Sequence, residues 1–331
     1  MVDRMKCLVG GAGGFIGSHL VARLKADGHW VRGIDLKEPE FAPSVADDFM
    51  LGDLSYTSVA RRACAGVDYV FALAADMGGM GFLAVNDAHI LATNLKINLA
   101  TIDAARSAGV SRYFFASSAC VYNETRQTET GALGLREADA YPAQPDTSYG
   151  WEKLTAERLC LDYAKDFGMT TRVARFHNVM GPMGTWTGGR EKAPAAICRK
   201  VAEAKLTGSG VVEVWGDGEQ TRSFCYIDDC LDGVLRLMAS DYAHPLNIGS
   251  DESVSINAMV GIVAAIAGVK VEIRHVEGPQ GVRGRNSDNT LCKAVLGWAP
   301  SIRLADGLAK LYPWVEAQVA RSLAGAKEGA A

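Results

Sequence analysis

The chain has 331 residues, 48% hydrophobic and 22% charged, with 34 basic against 38 acidic side chains and a net charge of −4. This is an ordinary globular composition for one large domain or two interlocked ones, and its mild acidity argues against a nucleic-acid partner or an anionic membrane surface. Eight scattered cysteines without CxxC spacing and six dispersed histidines argue against a disulfide scaffold and a metal site; reduced thiols, no apolar run near the ~20 residues of a membrane span, and a strand that starts almost at once predict a cytoplasmic protein without a cleavable signal.

Along the chain, residues 6–9 read as a strand, 15–27 as a helix, 30–34 and 49–51 as strands, and 58–64 as a helix. A strand at 69–73, a helix at 90–108 and a strand at 112–116 follow, then a helix from about residue 149 and a strand at 172–175. Strands alternating with helices imply right-handed crossovers and a parallel sheet covered on both faces. After residue 178 this rhythm breaks. The glycine- and proline-rich 180–194 reads as an irregular loop, followed by a helix at 195–204, a strand at 211–215, a helix at 229–238 and a strand at 246–248. A helix at 255–267, a loop-rich region at 270–300 and a helix at 304–319 complete the chain.

The stretch "LVGGAGGFIGSHL" puts Gly11, Gly14 and Gly17, with Phe15 and Ile16 among them, between the first strand and the first helix. Glycines there allow a tight turn and let backbone N–H groups approach a pyrophosphate at the helix N-terminus. Asp35 ends the second strand, where a carboxylate accepts hydrogen bonds from a ribose 2′-hydroxyl and repels a 2′-phosphate, so NAD is expected rather than NADP. Asp53 follows the third strand, at the level of an adenine edge, although a helix N-cap explains it equally from spacing.

In "TSYGWEKLTAE", Tyr149 and Lys153 lie four residues apart, on one helix face. An ammonium near a phenol favours phenolate and brings the tyrosine towards acid/base work. Ser117 and Ser118 close an intervening strand, at the carboxyl edge where parallel sheets bind ligands. Two residues on comes Cys120, a thiol with an ordinary pKa of about 8.5 that needs only modest electropositive help to ionise; buried filler is the competing explanation.

These motifs together resemble the extended short-chain dehydrogenase/reductase superfamily. Further blocks, "LAADMGGMGF" (73–82), "SSACVY" (117–122), "RFHNVMGPMGTWTGGREKAPAA" (175–196), "WGDGEQTRSF" (215–224) and "VRGRNSDN" (282–289), are similar to the GDP-mannose 3,5-epimerase family over essentially the whole chain. The resemblance implies a Rossmann-type, doubly wound parallel α/β sheet with a smaller C-terminal substrate-binding lobe. It divides the chain into an NAD-binding domain at 1–178, an intertwined lobe at 179–325 that covers the open sheet edge, and a flexible tail at 326–331.

The same resemblance implies a chemistry. NAD takes a hydride from carbon 4 of GDP-α-D-mannose while Tyr149 takes the hydroxyl proton, assisted by Lys153 and Ser118. The 4-ketone acidifies the hydrogens on carbons 3 and 5, Cys120 removes a proton and Lys192 supplies one from the opposite face. The hydride then returns, giving GDP-L-galactose and GDP-L-gulose. Glu191 either accepts a substrate hydroxyl or orients Lys192. Gly78, Ala119, Ala193, Asn178, Lys200, Gln220, Thr221 and Arg222 are expected to meet sugar or diphosphate, with an exposed hairpin the alternative for 219–224 and a plain turn for Gly78. Arg285 is expected to grip phosphate through a bidentate fork. The stretches 122–133 and 202–214 carry less family character and touch no candidate site. A homodimer through the helices at 90–108 and 149–166 is the family's habit.

Two other readings remain. A 4-epimerase or a 4,6-dehydratase uses the same fold, but the former leaves Cys120 without a task and the latter calls for an Asp–Glu pair where Ala119–Cys120 stand. A non-catalytic NAD-binding sensor needs neither YxxxK nor the thiol.

Overall fold

Short runs of β-branched and aromatic residues, bounded by glycine or acidic turns, make the strands, and longer amphipathic stretches make the helices. The computed structural model describes residues 4–328 except 84, 132 and 280. The first part contains β1 (Lys6–Gly10), α1 (Phe15–Ala26), β2 (Trp30–Asp35), β3 (Asp48–Leu51), α2 (Thr57–Cys64), β4 (Tyr69–Ala72), α3 (Met80–Leu83) and α4 (Asp87–Ser107). Next come β5 (Arg112–Ser118), α5 (Ser148–Phe167), β6 (Thr171–Phe176), β7 (Asn178–Met180), α6 (Ala193–Thr207), β8 (Val211–Trp215), β9 (Thr221–Tyr226) and α7 (Ile227–Ala239). The last part holds β10 (Leu246–Ile248), β11 (Ser253–Ser255), α8 (Ile256–Ala267), β12 (Glu272–Val276), β13 (Gly284–Arg285), α9 (Thr290–Leu296) and α10 (Leu304–Glu328).

Seven strands form one sheet in the order β10-β6-β5-β4-β1-β2-β3, with every neighbouring pair parallel. The winding direction reverses between β1 and β4, the switch point at which such sheets bind ligands. Alternate side chains serve opposite faces, as the two-residue period of a strand demands. Val9, Phe71 and Phe114 pack with Leu20 and Leu24 of α1. Leu8, Val70 and Phe115 pack with Ala63 of α2, Ala104 of α4 and Cys160 of α5. Beyond this sheet, β9 pairs with β7, β11 and β13, and β8 pairs with β12.

The structure departs from the reading above in several places, among them β9, β11 and α3, which fall where no element is expected. The expected 180–194 loop is shortened at both ends, because β7 extends to Met180 and α6 begins at Ala193 with Lys192 as its N-cap. The loop-rich 270–300 contains β12, β13 and α9. β12 was hidden because it is a largely exposed strand of mixed charge, and β13 because two residues carry no period. Finally, α10 continues to Glu328, so residues 326–328 of the expected tail are helical, while 329–331 lie outside the described residues.

Candidate active site

The carboxyl ends of β1 and β2 come first. Gly11 has φ +81°, and a side chain there would press within 2.9 Å of the Ala74 nitrogen. A Cβ on Gly17 would collide with the Gly11 carbonyl oxygen, so α1 starts directly against the turn. Asp35 accepts the Gly13 N–H at 2.9 Å and the Leu36 N–H at 2.7 Å, which fixes its carboxylate beside the glycines. Gly13, Gly14, Phe15, Ser18, Lys37 and Thr185 line part of a cavity of about 230 Å³. A cradle that added side chains would fill, with an anchored carboxylate at its rim, fits a dinucleotide. Asp53 does something plainer, accepting the Ser55 N–H at 2.8 Å in the turn before α2.

At the end of β5 the two serines part company. Ser117 is buried and donates to Glu157, which is paired at 2.7 Å with buried Arg175 inside the protein. Ser118 faces the other way: its hydroxyl accepts the Cys120 N–H at 3.2 Å and hydrogen-bonds Tyr149. Thr147 caps α5 by accepting the Gly150 N–H at 3.2 Å. A Cβ on Gly150 would collide with the Cys120 carbonyl oxygen. The helix carrying Tyr149 and Lys153 is therefore seated directly on the turn carrying Cys120, and only glycine permits it.

Lys153 is buried, with Nζ 4.8 Å from the Phe115 ring centroid, 5.4 Å from that of Tyr149 and 3.8 Å from Glu152 Oε1. Glu152 is itself buried and accepts from Asn94 and Asn98. The expectation that Lys153 brings the phenol down is corrected here. Burial pushes Tyr149 well above its ordinary range, Glu152 and Cys120 push the same way, and the Ser118 hydrogen bond opposes them. The lysine's charge is shared with Glu152, and low-dielectric surroundings penalise a phenolate more than it compensates.

Cys120 lies in a 3₁₀ turn at Ala119–Val121 and is the one cysteine among eight that is not fully buried. Its sulfur accepts from Arg285 Nη1 at 3.1 Å. The other arms of that guanidinium go to Gln127 Oε1 and, at 3.3 Å, to Asp146 Oδ2. Burial alone would weaken the Arg285 cation, but Cys120 and Asp146 hold it above its ordinary value. Arg222 stands beside it in the β9–β13 register, lowered to about 10 by burial and by Arg285. Lys192 is within electrostatic reach of both Cys120 and Arg285; burial lowers its ammonium, Cys120 raises it and Arg285 lowers it, for a net fall. Arg285 thus touches the Cys120 sulfur, while Arg222 and Lys192, from two further segments, lie within electrostatic reach of it.

Several candidates sit elsewhere. The Arg285 fork, expected on phosphate, is turned to Cys120, Gln127 and Asp146 instead. Glu191 does not orient Lys192: its carboxylate takes the Gly189 N–H at 2.7 Å and Arg199 at 3.2 Å. Lys200 donates to the Glu213 carbonyl at 2.7 Å, against β8. The Asn178 amide donates to the Ser223 carbonyl at 3.2 Å, and Thr221 to that of Thr130 at 2.7 Å. Gln220 and Arg222 belong to no exposed hairpin, since Gln220 is buried and β9 is paired on both sides. Gly78 packs against Phe82, while its neighbour Gly79 donates to the Arg190 carbonyl at 3.2 Å, bringing 78–82 alongside the segment that ends in Lys192 and Ala193. Gln127 and Asp146 went unnoticed in the sequence, because neither lies at a diagnostic spacing from Cys120.

Residues 7–249 match the model of the NAD dependent epimerase/dehydratase family. The chain belongs to that family. NAD is its cofactor, and it is an epimerase-type enzyme. It is 50% identical to the GDP-mannose 3,5-epimerase of Arabidopsis thaliana, over 97% of this chain and 85% of that protein. Among solved structures it is similar to the UDP-glucose 4-epimerase of Thermotoga maritima with UDP-glucose, at a TM-score of 0.84 and 25% identity over 95% of this chain and 100% of that one. It is also similar to the UDP-glucuronic acid 4-epimerase of Bacillus cereus in complex with UDP-glucuronic acid and NAD, at a TM-score of 0.80 and 25% identity over 95% and 100% of the two chains.

Proposed function

We propose that this enzyme is a GDP-mannose 3,5-epimerase that forms GDP-L-galactose and GDP-L-gulose. The observation that carries the reading is the Cys120 sulfur, set 3.1 Å from Arg285 and within electrostatic reach of Lys192, beside the Ser118–Tyr149 pair. A carbon-4 oxidation needs only the Ser118–Tyr149 side; the thiol and the facing ammonium are what inversion at a neighbouring carbon requires.

NAD, when bound, supplies a reversible hydride acceptor, so that no net oxidation remains. The chain's own groups handle protons. Tyr149 and Ser118 move the proton of the carbon-4 hydroxyl. For Tyr149 to accept it the phenol has to ionise, which burial opposes and the Ser118 hydrogen bond favours; the Lys153 Nζ lies 5.4 Å from the ring centroid. With carbon 4 a ketone, the C–H bonds at carbons 5 and 3 are acidified. The Cys120 sulfur takes a proton from one face, leaving an enolate conjugated to the carbon-4 oxygen, and the Lys192 ammonium returns one to the other face. Arg285 and Arg222 stabilise negative charge on sulfur and sugar.

Residues 1–178 in this reading carry NAD and 179–325 most of the sugar nucleotide, with Gly78, Asn178, Glu191, Lys200, Gln220 and Thr221 around it. The protein works in the cytoplasm, in keeping with its eight free cysteines, and among the described residues no helix is long and apolar enough to cross a membrane. It pairs as a homodimer through α4 and α5, on whose outer surfaces Leu99 and Trp151 remain exposed; light scattering measures this. Incubation with GDP-mannose and NAD in D₂O tests the activity. Deuterium at carbons 3 and 5 with L-galactose and L-gulose products supports it. Inversion confined to carbon 4, or loss of water across carbons 4 to 6, refutes it in favour of a 4-epimerase or a dehydratase.

A further inference from the structure

Gln127 falls in the 122–133 stretch, which sequence reasoning set apart from every candidate site. It is nevertheless 1% exposed, and its polar atoms are all engaged. Nε2 donates to the carbonyls of Tyr122 at 3.2 Å and Asn123 at 3.3 Å. Oε1 accepts from Arg285 Nε, and the backbone carbonyl accepts the N–H groups of Arg283 at 2.9 Å and Gly284 at 3.1 Å. One residue therefore ties the turn that follows Cys120 to the strand that bears Arg285, through side chain and main chain together.

We propose that Gln127 is a positioning residue that holds the Arg285 guanidinium against the Cys120 sulfur and thereby sets the reactivity of that thiol. A free arginine has several rotatable bonds and samples many rotamers, so one contact to sulfur fixes it poorly. With Nε bound to Gln127 and Nη2 to Asp146, only Nη1 is left, and it is directed at sulfur. The chemistry of the clamp matters as much as its place. A carboxylate at this position would add a second negative charge beside Asp146 and compete with sulfur for the guanidinium. An amide oxygen fixes Nε and leaves the positive charge for the thiol. This inference rests on Cys120 as the reacting thiol, but its test needs no turnover.

The test is alkylation of Cys120 by iodoacetamide in the full-length protein without substrate, mapped by peptide mass spectrometry; the other seven cysteines are buried. Gln127→Met, close in shape but without the acceptor, should slow alkylation at pH 7 roughly tenfold, about the effect of one charge-assisted hydrogen bond. Arg285→Met should slow it at least as much, and adding Gln127→Met to that variant should change nothing more. Retained NAD binding reports that each variant is folded. If Gln127→Met does not fold, Gln127→Asn, which keeps an amide but falls one methylene short of Arg285, is read in the same way. An unchanged rate in the folded Gln127 variant overturns the proposal, as does equal slowing with and without Arg285. A protein that shows this dependence yet leaves GDP-mannose unchanged would keep the inference and discard the substrate.

Discussion

The two sides of the site are built on different plans. The Tyr149 side comes from neighbouring elements of one sheet layer: β5 delivers Ser118, and α5 delivers Tyr149 and Lys153 a turn apart. The Cys120 side is convergent, with Cys120 from a turn after β5, Gln127 further along, Asp146 before α5, Lys192 at the head of α6, Arg222 on β9 and Arg285 on β13. A side fixed by helix and strand geometry tolerates change outside its own elements. One assembled from six segments is only as well placed as the least secure of them.

The strongest way to break this comparison is to remove one residue from each side. Tyr149→Phe should lower both carbon-4 oxidation and hydrogen exchange by about a thousandfold, since without the ketone neither neighbour is acidic. Cys120→Ser should lose exchange at carbons 3 and 5 to a similar extent, about a thousandfold, but still reduce bound NAD on mixing with GDP-mannose, read by stopped-flow absorbance. If Cys120→Ser also loses NAD reduction, the two sides are not separate.

Next in size is Lys192. Because burial holds its ammonium below the ordinary lysine range, the protonated acid is lost at a lower pH than an exposed lysine would lose it, and inversion should fall on the alkaline side. Lys192→Arg stays protonated there, so its residual inversion should be lower yet flat across the same pH range. A retained alkaline fall would assign that limb to another group.

Gly150→Ala joins the two sides, because its methyl group would strike the Cys120 carbonyl oxygen. Overpacking of this kind costs about 1–3 kcal/mol, measurable by denaturant unfolding, and exchange should fall more than NAD binding. The last effect concerns stability alone. Burial lowers the His177 ring to about 3, with Asn247 opposing and Arg285 and Arg175 assisting, from an ordinary 6.5. Between those values the unfolded chain binds a proton that the folded one refuses, so stability falls as pH drops through that window, by at most ~1.4 kcal/mol per pH unit. His177→Gln should flatten this slope; an identical acid limb would place the loss elsewhere.

The same contrast explains what could be read without coordinates. Gly11, Gly14, Gly17, Asp35, Tyr149 and Lys153 are legible because each motif is contained within one turn or helix, where spacing dictates geometry. Ser117 and Ser118 are not separable by spacing, because the strand period that turns one to Glu157 and the other to Tyr149 has no fixed phase until neighbours are known. Arg285 is legible as functional, but its contacts to Cys120, Gln127 and Asp146 are not, since all three are distant in sequence. β12 escaped because a strand exposed on one side, carrying glutamate, arginine and histidine, has the composition of a loop.

The outermost strand of the main sheet, β10, bonds along β6 yet is translated only after β7, β8 and β9. During synthesis β6 therefore emerges with an unpaired edge, and it stays open until residues 246–248 leave the ribosome. A nascent chain ending before that point presents a bare row of backbone donors and acceptors, open to association with another chain. Splitting the gene between the two halves should for this reason yield an N-terminal fragment that aggregates alone and is rescued by co-expression of its complement.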